Sequence, residues 1–330
     1  WSSDVCSSDL IRARMRASGF TWPPSWGNNA RCSRQYRTER WYAPSAMPAR
    51  SETLTVGRPR RGPIGTVAET LASLVSRRRL LWYLTVNSLR RRGTDSVLGD
   101  LWWILDPTLQ IGIYFIFVGI ILQRAQPAFP LFLFAAILPW RWFTSAITDA
   151  TSSIRLRDKV MRQIAFPHIV LPASTVAGGT ASFVFGLVPL AGLYLFYPDR
   201  LTPWVLAIPL VAAVQLLWTM VFAITVSAIA VFFRDIRNLV GRLLRLWFYL
   251  SPGLYDAERL RTAAAEHPPA DLLVAANPFT WLFDAYRDLV YWGRSPDWMA
   301  LVVLGLAAIP FILVALYVFR RLSRSFVKVL

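Results

Sequence analysis

Six apolar blocks separated by short polar connectors constrain this chain more than any other feature. They are Ile104–Leu122, Phe129–Thr151, Ala173–Tyr197, Trp204–Phe232, Leu239–Tyr255 and Trp298–Phe319. A helix needs about 20 apolar residues to cross a hydrocarbon core of roughly 30 Å. Five blocks are near or above that length. The fifth in order has 17 residues and is marginal, but Arg242 and Arg245 at one end can snorkel to the headgroups. In lipid, backbone polar groups must be satisfied internally, which favours helices. The predicted fold class is an all-α polytopic membrane protein with six transmembrane helices.

Composition agrees. Hydrophobic residues make up 55% of the chain, with 15 Trp and 20 Phe, whereas only 17% of positions are charged. Soluble domains carry about 45–50% apolar residues even with Gly counted. The net charge of +17 could suggest nucleic acid, but such a partner does not require so much Trp, Phe and Leu. No nucleic-acid partner is expected. Cys6 and Cys32 both lie near the N-terminus, and His168 and His267 are far apart, so no metal site is predicted. The two lysines, Lys159 and Lys328, follow Asp158 and Val327. Without a Gly-Lys pair the chain has no phosphate-cradling loop of its own.

Arginine placement sets the orientation. Segments 152–170, 233–245 and 320–330 each hold four Lys or Arg, whereas 123–128 and 198–203 hold one apiece. The connector 256–297 has four basic residues against seven acids. Both termini are therefore predicted to be cytoplasmic and 256–297 external. That connector contains a further apolar stretch, Pro278–Tyr291, whose 14 residues before Gly293 are too few to cross. It is predicted to be re-entrant in the outer leaflet.

Residues 1–65 lack apolar periodicity. They read as a basic cytoplasmic tail or, preferably, as a disordered or artefactual extension, with Met47 as the start and WSSDVCSSDL resembling adaptor read-through. Residues 66–103 form a cytoplasmic amphipathic region. Within it Arg77–Arg79 and Arg90–Arg92 bracket Leu80–Leu89, which suits an interfacial helix ahead of the membrane domain at 104–330.

No Asp-x-Asp, His-Glu-x-x-His or Gly-x-Ser-x-Gly motif occurs, so transport rather than catalysis is expected. Arg141 stands midway along the second block, at a cost of at least roughly 2.5–3.5 kcal/mol for an unpaired charge at a helix centre. Ser145, Thr148 and Ser152 continue from it at helical spacing, with Asp149 alongside. This stripe is either a substrate-facing surface or a bundle contact in which Arg141 pairs with Asp106 or Asp149. Tyr114, Phe117, Trp140, Phe143, Trp247, Phe248 and Tyr249 could stack on sugar rings, or could serve helix packing and the lipid interface.

The connector 152–170 is basic and amphipathic. Ile154, Val160, Ile164 and Phe166 can share a face, while Arg155, Arg157, Lys159 and Arg162 stay solvated. It suits a partner protein as well as a lipid surface.

The segments GTDSVLGDLWWILDP (93–107), FPLFLFAAILPWRWF (129–143), RQIAFPHIVLPAS (162–174), FRDIRNLV (233–240), FYLSPGLY (248–255) and NPFTWLFDAYRDLVYWG (277–293) together resemble the membrane subunits of ABC exporters for lipid-linked polysaccharides. That family moves O-antigen, capsular polysaccharide and teichoic acid. The resemblance covers about residues 70–330. It implies a homodimeric channel in the cytoplasmic (inner) membrane, working with a separate nucleotide-binding ATPase that holds ATP and Mg. No cofactor is expected on this chain.

By the same resemblance, Arg155, Arg157, Lys159, Val160, Arg162, Ile164 and Phe166 belong to a helix coupled to the ATPase. Residues 278–291 resemble an external gate helix. Tyr114, Phe117, Trp140, Arg141, Phe143, Ser145, Thr148, Phe248 and Tyr249 become candidates for the substrate path. His168 departs from the family, where a charged residue is common at that place. The alternative reading is a drug or small-lipid efflux permease, which would share the topology but not the LPWRWF and NPFTWLFDAYRD segments. An ion-coupled carrier and a membrane glycosyltransferase are less consistent with the motifs.

Overall fold

The computed structural model describes residues 76–94, 102–121, 127–157, 166–233, 235–255 and 274–329, with isolated positions at 65, 72, 262 and 272. The extension expected at 1–65 lies outside the described residues, Gly65 aside. Lys159, Val160, Arg162 and Ile164 also lie outside them. Among the described residues every regular element is helical.

The described residues form eight α-helices in order: α1 Arg78–Thr94, α2 Trp102–Tyr114, α3 Phe129–Ser153, α4 Val170–Tyr194, α5 Ile208–Phe232, α6 Ile236–Leu250, α7 Pro278–Arg287 and α8 Trp298–Val329. Among the described residues four helical segments are long and apolar enough to cross a membrane: Phe129–Ser153, Val170–Tyr194, Pro203–Phe232 and Trp298–Phe326. The third is α5 with a preceding 3-10 turn at Pro203–Ala207.

The other two expected spans differ in form. The first block is helical from Trp102 to Ile121, but its apolar helical stretch, Thr108–Phe117, is short. Asp106 interrupts the run on one side, and the backbone passes into a π-helix at Phe115–Ile121. The fifth block forms α6, which begins and ends earlier than Leu239–Tyr255. Asp235 O accepts from the amides of Asn238 and Leu239 at its start. Ser251-Pro252-Gly253 ends it, because Pro252 has no N–H to extend the ladder. At 15 residues α6 is about 22 Å long, shorter than the hydrocarbon core.

α3 is the central helix. Of its apolar window 78% is buried inside the protein, against 28–33% for the other three long helices, so their outer faces are left for lipid. α4, α5, α2, α6 and α7 all pack on α3. Small residues allow the closest of these approaches. A Cβ on Gly179 would lie 2.8 Å from the Trp142 ring, and one on Gly186 would run into the Leu138 side chain.

Pro139 lies inside α3, and its carbonyl accepts from Gln215 Nε2 of α5 at 2.8 Å. The Gln215 Oε1 accepts from the Tyr286 hydroxyl of α7 at 2.9 Å. Gln215 is fully buried, so this chain of bonds satisfies a polar side chain that apolar surroundings would otherwise penalise.

α7 continues as a π-helical turn, Asp288–Trp292, and stops at Gly293, whose φ of 65° places it in the left-handed region. Its end carbonyls find side-chain donors. Val290 O accepts from Tyr194 Oη at 2.9 Å and Tyr291 O from Arg200 Nη1 at 3.2 Å. Nearly all of α7 is buried, and its buried Tyr286 and Arg287 are hydrogen-bonded inside the protein.

At the opposite end of the bundle a second core forms around Ile154, Ile169, Val231, Phe319 and Phe326. α8 runs past the expected Phe319 boundary to Val329, carrying Arg320, Arg321 and Arg324 near its C-terminus. Cations there are favoured by the helix dipole. α1 also extends beyond the apolar Leu80–Leu89 core and packs on α4, leaving Trp82 and Tyr83 exposed.

Candidate functional site

Three stripes at helical spacing face one another across a cleft of about 610 Å³ between α2, α3 and α6. On α2 they are Gln110 and Tyr114, four residues apart. On α3 the stripe is Trp140, Arg141, Thr144, Ser145, Thr148 and Asp149. On α6 it is Gly241, Leu244, Arg245, Phe248 and Tyr249.

Arg141 spans the gap between α3 and α2. Its Nη1 donates to Gln110 Oε1 at 2.6 Å, and its Nη2 pairs with Asp106 Oδ2 one turn earlier on α2. The guanidinium is thus neutralised and hydrogen-bonded by the adjacent helix. Beyond it, Thr144 and Ser145 donate their hydroxyls to Arg141 O and Trp142 O, both at 3.1 Å. Such hydroxyls retain acceptor lone pairs.

Aromatic rings form another part of the wall. Phe248 lies 5.4 Å from Trp140 and 6.4 Å from Tyr114 between ring centroids. The cleft therefore combines hydroxyls and charged groups with apolar ring faces. No group of residues able to hold a metal occurs among the described residues.

Seven of the nine substrate-path candidates line this cleft: Tyr114, Trp140, Arg141, Ser145, Thr148, Phe248 and Tyr249. Phe117 and Phe143 do not. Phe117 is exposed on the π-helical stretch. Phe143 is fully buried among Trp140, Phe222, Trp247 and Phe279, and contributes to packing there.

Among the coupling candidates, Arg155, Arg157 and Phe166 are described. α3 ends at Ser153, and a single 3-10 turn covers Arg155–Arg157. Arg155 Nη2 donates to Val231 O at 2.9 Å, which ties this turn to the C-terminus of α5. Phe166 stacks edge-on to His168, and the His168 ring also lies 6.2 Å from Phe326 of α8. Burial pushes the His168 imidazole below its ordinary pKa of 6.5. Its Nδ1 is buried without a hydrogen-bond partner.

Sequence reasoning did not single out Gln110, Asn277 or Arg287. Gln110 carries the signal of standing four residues after Asp106. Asn277 caps α7 by accepting from Phe279 N at 3.0 Å. It also accepts from Trp247 Nε1 at 3.0 Å and donates to Ser251 Oγ at 2.8 Å, joining α7 to α6. The Asn-Pro pair ahead of an apolar run is its local signal. Arg287 is buried over the Phe132 ring, at 3.9 Å, and donates to Gly253 O and Tyr255 O. It holds the turn that follows α6, and no local spacing reveals this.

Membrane-length helices grouped around a buried central helix, with a polar and aromatic cleft beside it, define a polytopic membrane protein. Residues 79–291 match the family described as ABC-2 type transporter, and this chain belongs to that family. The family supplies the membrane subunit of a transporter and not its ATPase.

The chain is also similar to curated proteins named O-antigen export system permease protein RfbA. The protein from Myxococcus xanthus is 32% identical over 251 residues, covering 76% of this chain and 95% of the relative. One from Klebsiella pneumoniae is 28% identical over 254 residues, with the same two coverages. Another from Klebsiella pneumoniae is 27% identical over 252 residues, again covering 76% and 95%.

Proposed function

We propose that this chain is the permease subunit of an ATP-driven exporter that moves a lipid-linked polysaccharide across the inner membrane. The observation that carries the reading is the cleft around Arg141. Its hydroxyls and charged groups can exchange hydrogen bonds with a polyol, and its rings suit the CH faces of sugars. The similarity to O-antigen export permeases supports the same substrate class.

In this reading two copies assemble as a homodimer and the Arg141 clefts border the polymer path. α2 with its π-helical continuation, and α6 with the turn after it, complete six spans. α7 forms an external re-entrant gate, and both termini are cytoplasmic. A separate ATPase docks on residues 152–164, so nucleotide closure would push through Arg155 and the second core against the ends of α3 and α5. ATP and Mg are bound by the partner.

The test is to express the chain with and without its ATPase subunit. ATP hydrolysis should be absent from the purified chain and present in the complex. Deleting the permease should trap lipid-linked polymer at the cytoplasmic face. Mutation-sensitive hydrolysis by the isolated chain, or unchanged surface polymer after deletion, would refute the proposal.

A further inference from the structure

A second and larger cleft, about 1160 Å³, lies between α5, α6, α7 and α8 at the end of the bundle that carries α7. Its chemistry is opposite to that of the Arg141 cleft. Trp218, Trp247 and Trp281 contribute three indoles to the wall, and each N–H is already used within the protein. Trp218 Nε1 donates to Leu304 O at 3.2 Å, Trp247 Nε1 to Asn277 Oδ1 at 3.0 Å and Trp281 Nε1 to Ala275 O at 2.9 Å. The Asn277 amide is used in turn on Ser251. These bonds leave none of the three indole N–H groups, nor the Asn277 amide bonded to Ser251, free to donate to a sugar.

The dimensions and rim are informative too. Lining residues on α8 run from Met299 to Phe311, about 18 Å at 1.5 Å per residue, close to the depth of one leaflet. An apolar cavity does not hold stable water, and a cleft opening between membrane helices meets hydrocarbon. Among the described residues the one charged group in the lining is Asp297, exposed at the rim where α8 begins. Its Oδ1 accepts from Ala300 N at 3.0 Å, which fixes the carboxylate there.

We propose that this cleft binds the acyl chains of a zwitterionic, amine-bearing phospholipid, with the ammonium headgroup beside Asp297. The Asp297 carboxylate disfavours a headgroup of net negative charge, which sets this site apart from one for a phosphate-linked polymer carrier. The bound lipid fills the space between α6 and α8, where direct helix contact is sparse, and buttresses the α6 wall of the Arg141 cleft.

The full chain, purified from membranes with its ATPase subunit, provides the test. Lipids that survive extensive detergent washing are extracted and identified by mass spectrometry. The delipidated complex is then titrated with dioleoyl-phosphatidylethanolamine or dioleoyl-phosphatidylglycerol while its melting temperature is followed. Phosphatidylethanolamine should be retained and should raise the melting temperature with concentration, as mass action requires, whereas phosphatidylglycerol should have little effect. Ala300→Trp/Ala307→Trp, which fills the cleft, should lose both retention and shift. Asp297→Asn preserves an acceptor for the Ala300 amide, so it should fold, and should respond equally to the two lipids.

Three outcomes overturn the proposal. The washed complex could retain no lipid and show no shift, or it could prefer an anionic lipid. Alternatively, Ala276→Cys could cross-link between copies in native membranes, making a second chain the occupant. If the double Trp variant fails to fold, the Asp297→Asn titration alone still decides the outcome.

Discussion

Arg141, midway along the most buried helix, is paired with Asp106 on the neighbouring helix α2 rather than with Asp149 on its own. The side chains remain 31% and 56% exposed, so the pair is not sealed in the core, and Arg141 borders the cleft. It joins the two helices while leaving the guanidinium accessible from one side.

Breaking the pair should therefore cost little stability, about 1 kcal/mol. Arg141→Ala should reach normal membrane abundance and assemble, but export less polymer per molecule. The swap Asp106→Arg/Arg141→Asp should restore the interhelical attraction without restoring export. Quantifying surface polymer against membrane-inserted protein checks both. Loss of folding in Arg141→Ala, rescued by the swap, would instead make the pair purely structural.

Orientation can be read with two exposed positions. Leu156→Cys should react with an impermeant thiol reagent only from the cytoplasmic side, and Ser295→Cys only from outside. Reaction of both from the same side would reverse the assignment of α7 as external.

Docking of the ATPase is expected to depend on the apolar face of the 152–164 stretch. Val160→Asp/Ile164→Asp should weaken association by several kcal/mol, of order 3–5, through unpaired buried charge and lost contacts. The permease should still insert, but the ATPase should no longer co-purify with it. Normal co-purification would exclude this stretch as the docking site.

The α3–α4 contact makes a stability prediction. Gly179→Val should cost about 1–3 kcal/mol, because its side chain meets the Trp142 ring. Gly186→Ala should cost less, since the atom in the way is the end of a Leu138 side chain. Comparing the two melting temperatures in detergent tests the order.

His168 links stability to pH. Its folded pKa is depressed, so neutral His168 contributes stability that is fully present above about pH 6.5 and is lost as the pH falls through the folded value. The melting temperature should therefore fall on acidification, and the fall should be smaller in His168→Gln. Equal acid sensitivity in both proteins would assign the effect to other groups.

The α-helical period made the Arg141 stripe legible before any fold was known. Residues three and four apart on α3 share a face in any α-helix. Asp106 was legible as one possible partner, but two carboxylates had suitable chemistry. The packing of α2 on α3 decided between them. Trp140 and Phe143 show the same limit: both are aromatic and three positions apart, yet one borders the cleft and the other is buried beneath it.

The sequence by itself determined that this chain builds apolar helices and where arginines gather between them. These properties follow from local composition and spacing, because a bilayer selects for helix length and apolarity residue by residue. Only the tertiary structure decided which stripes share a cleft, that Asn277 joins α7 to α6, and that Arg287 is buried over Phe132. It also decided that three tryptophans at the second cleft use their N–H groups on acceptors within the protein. Those outcomes depend on contacts between residues distant in the chain, and the same side-chain types would serve as well on a lipid-facing surface as in a binding wall.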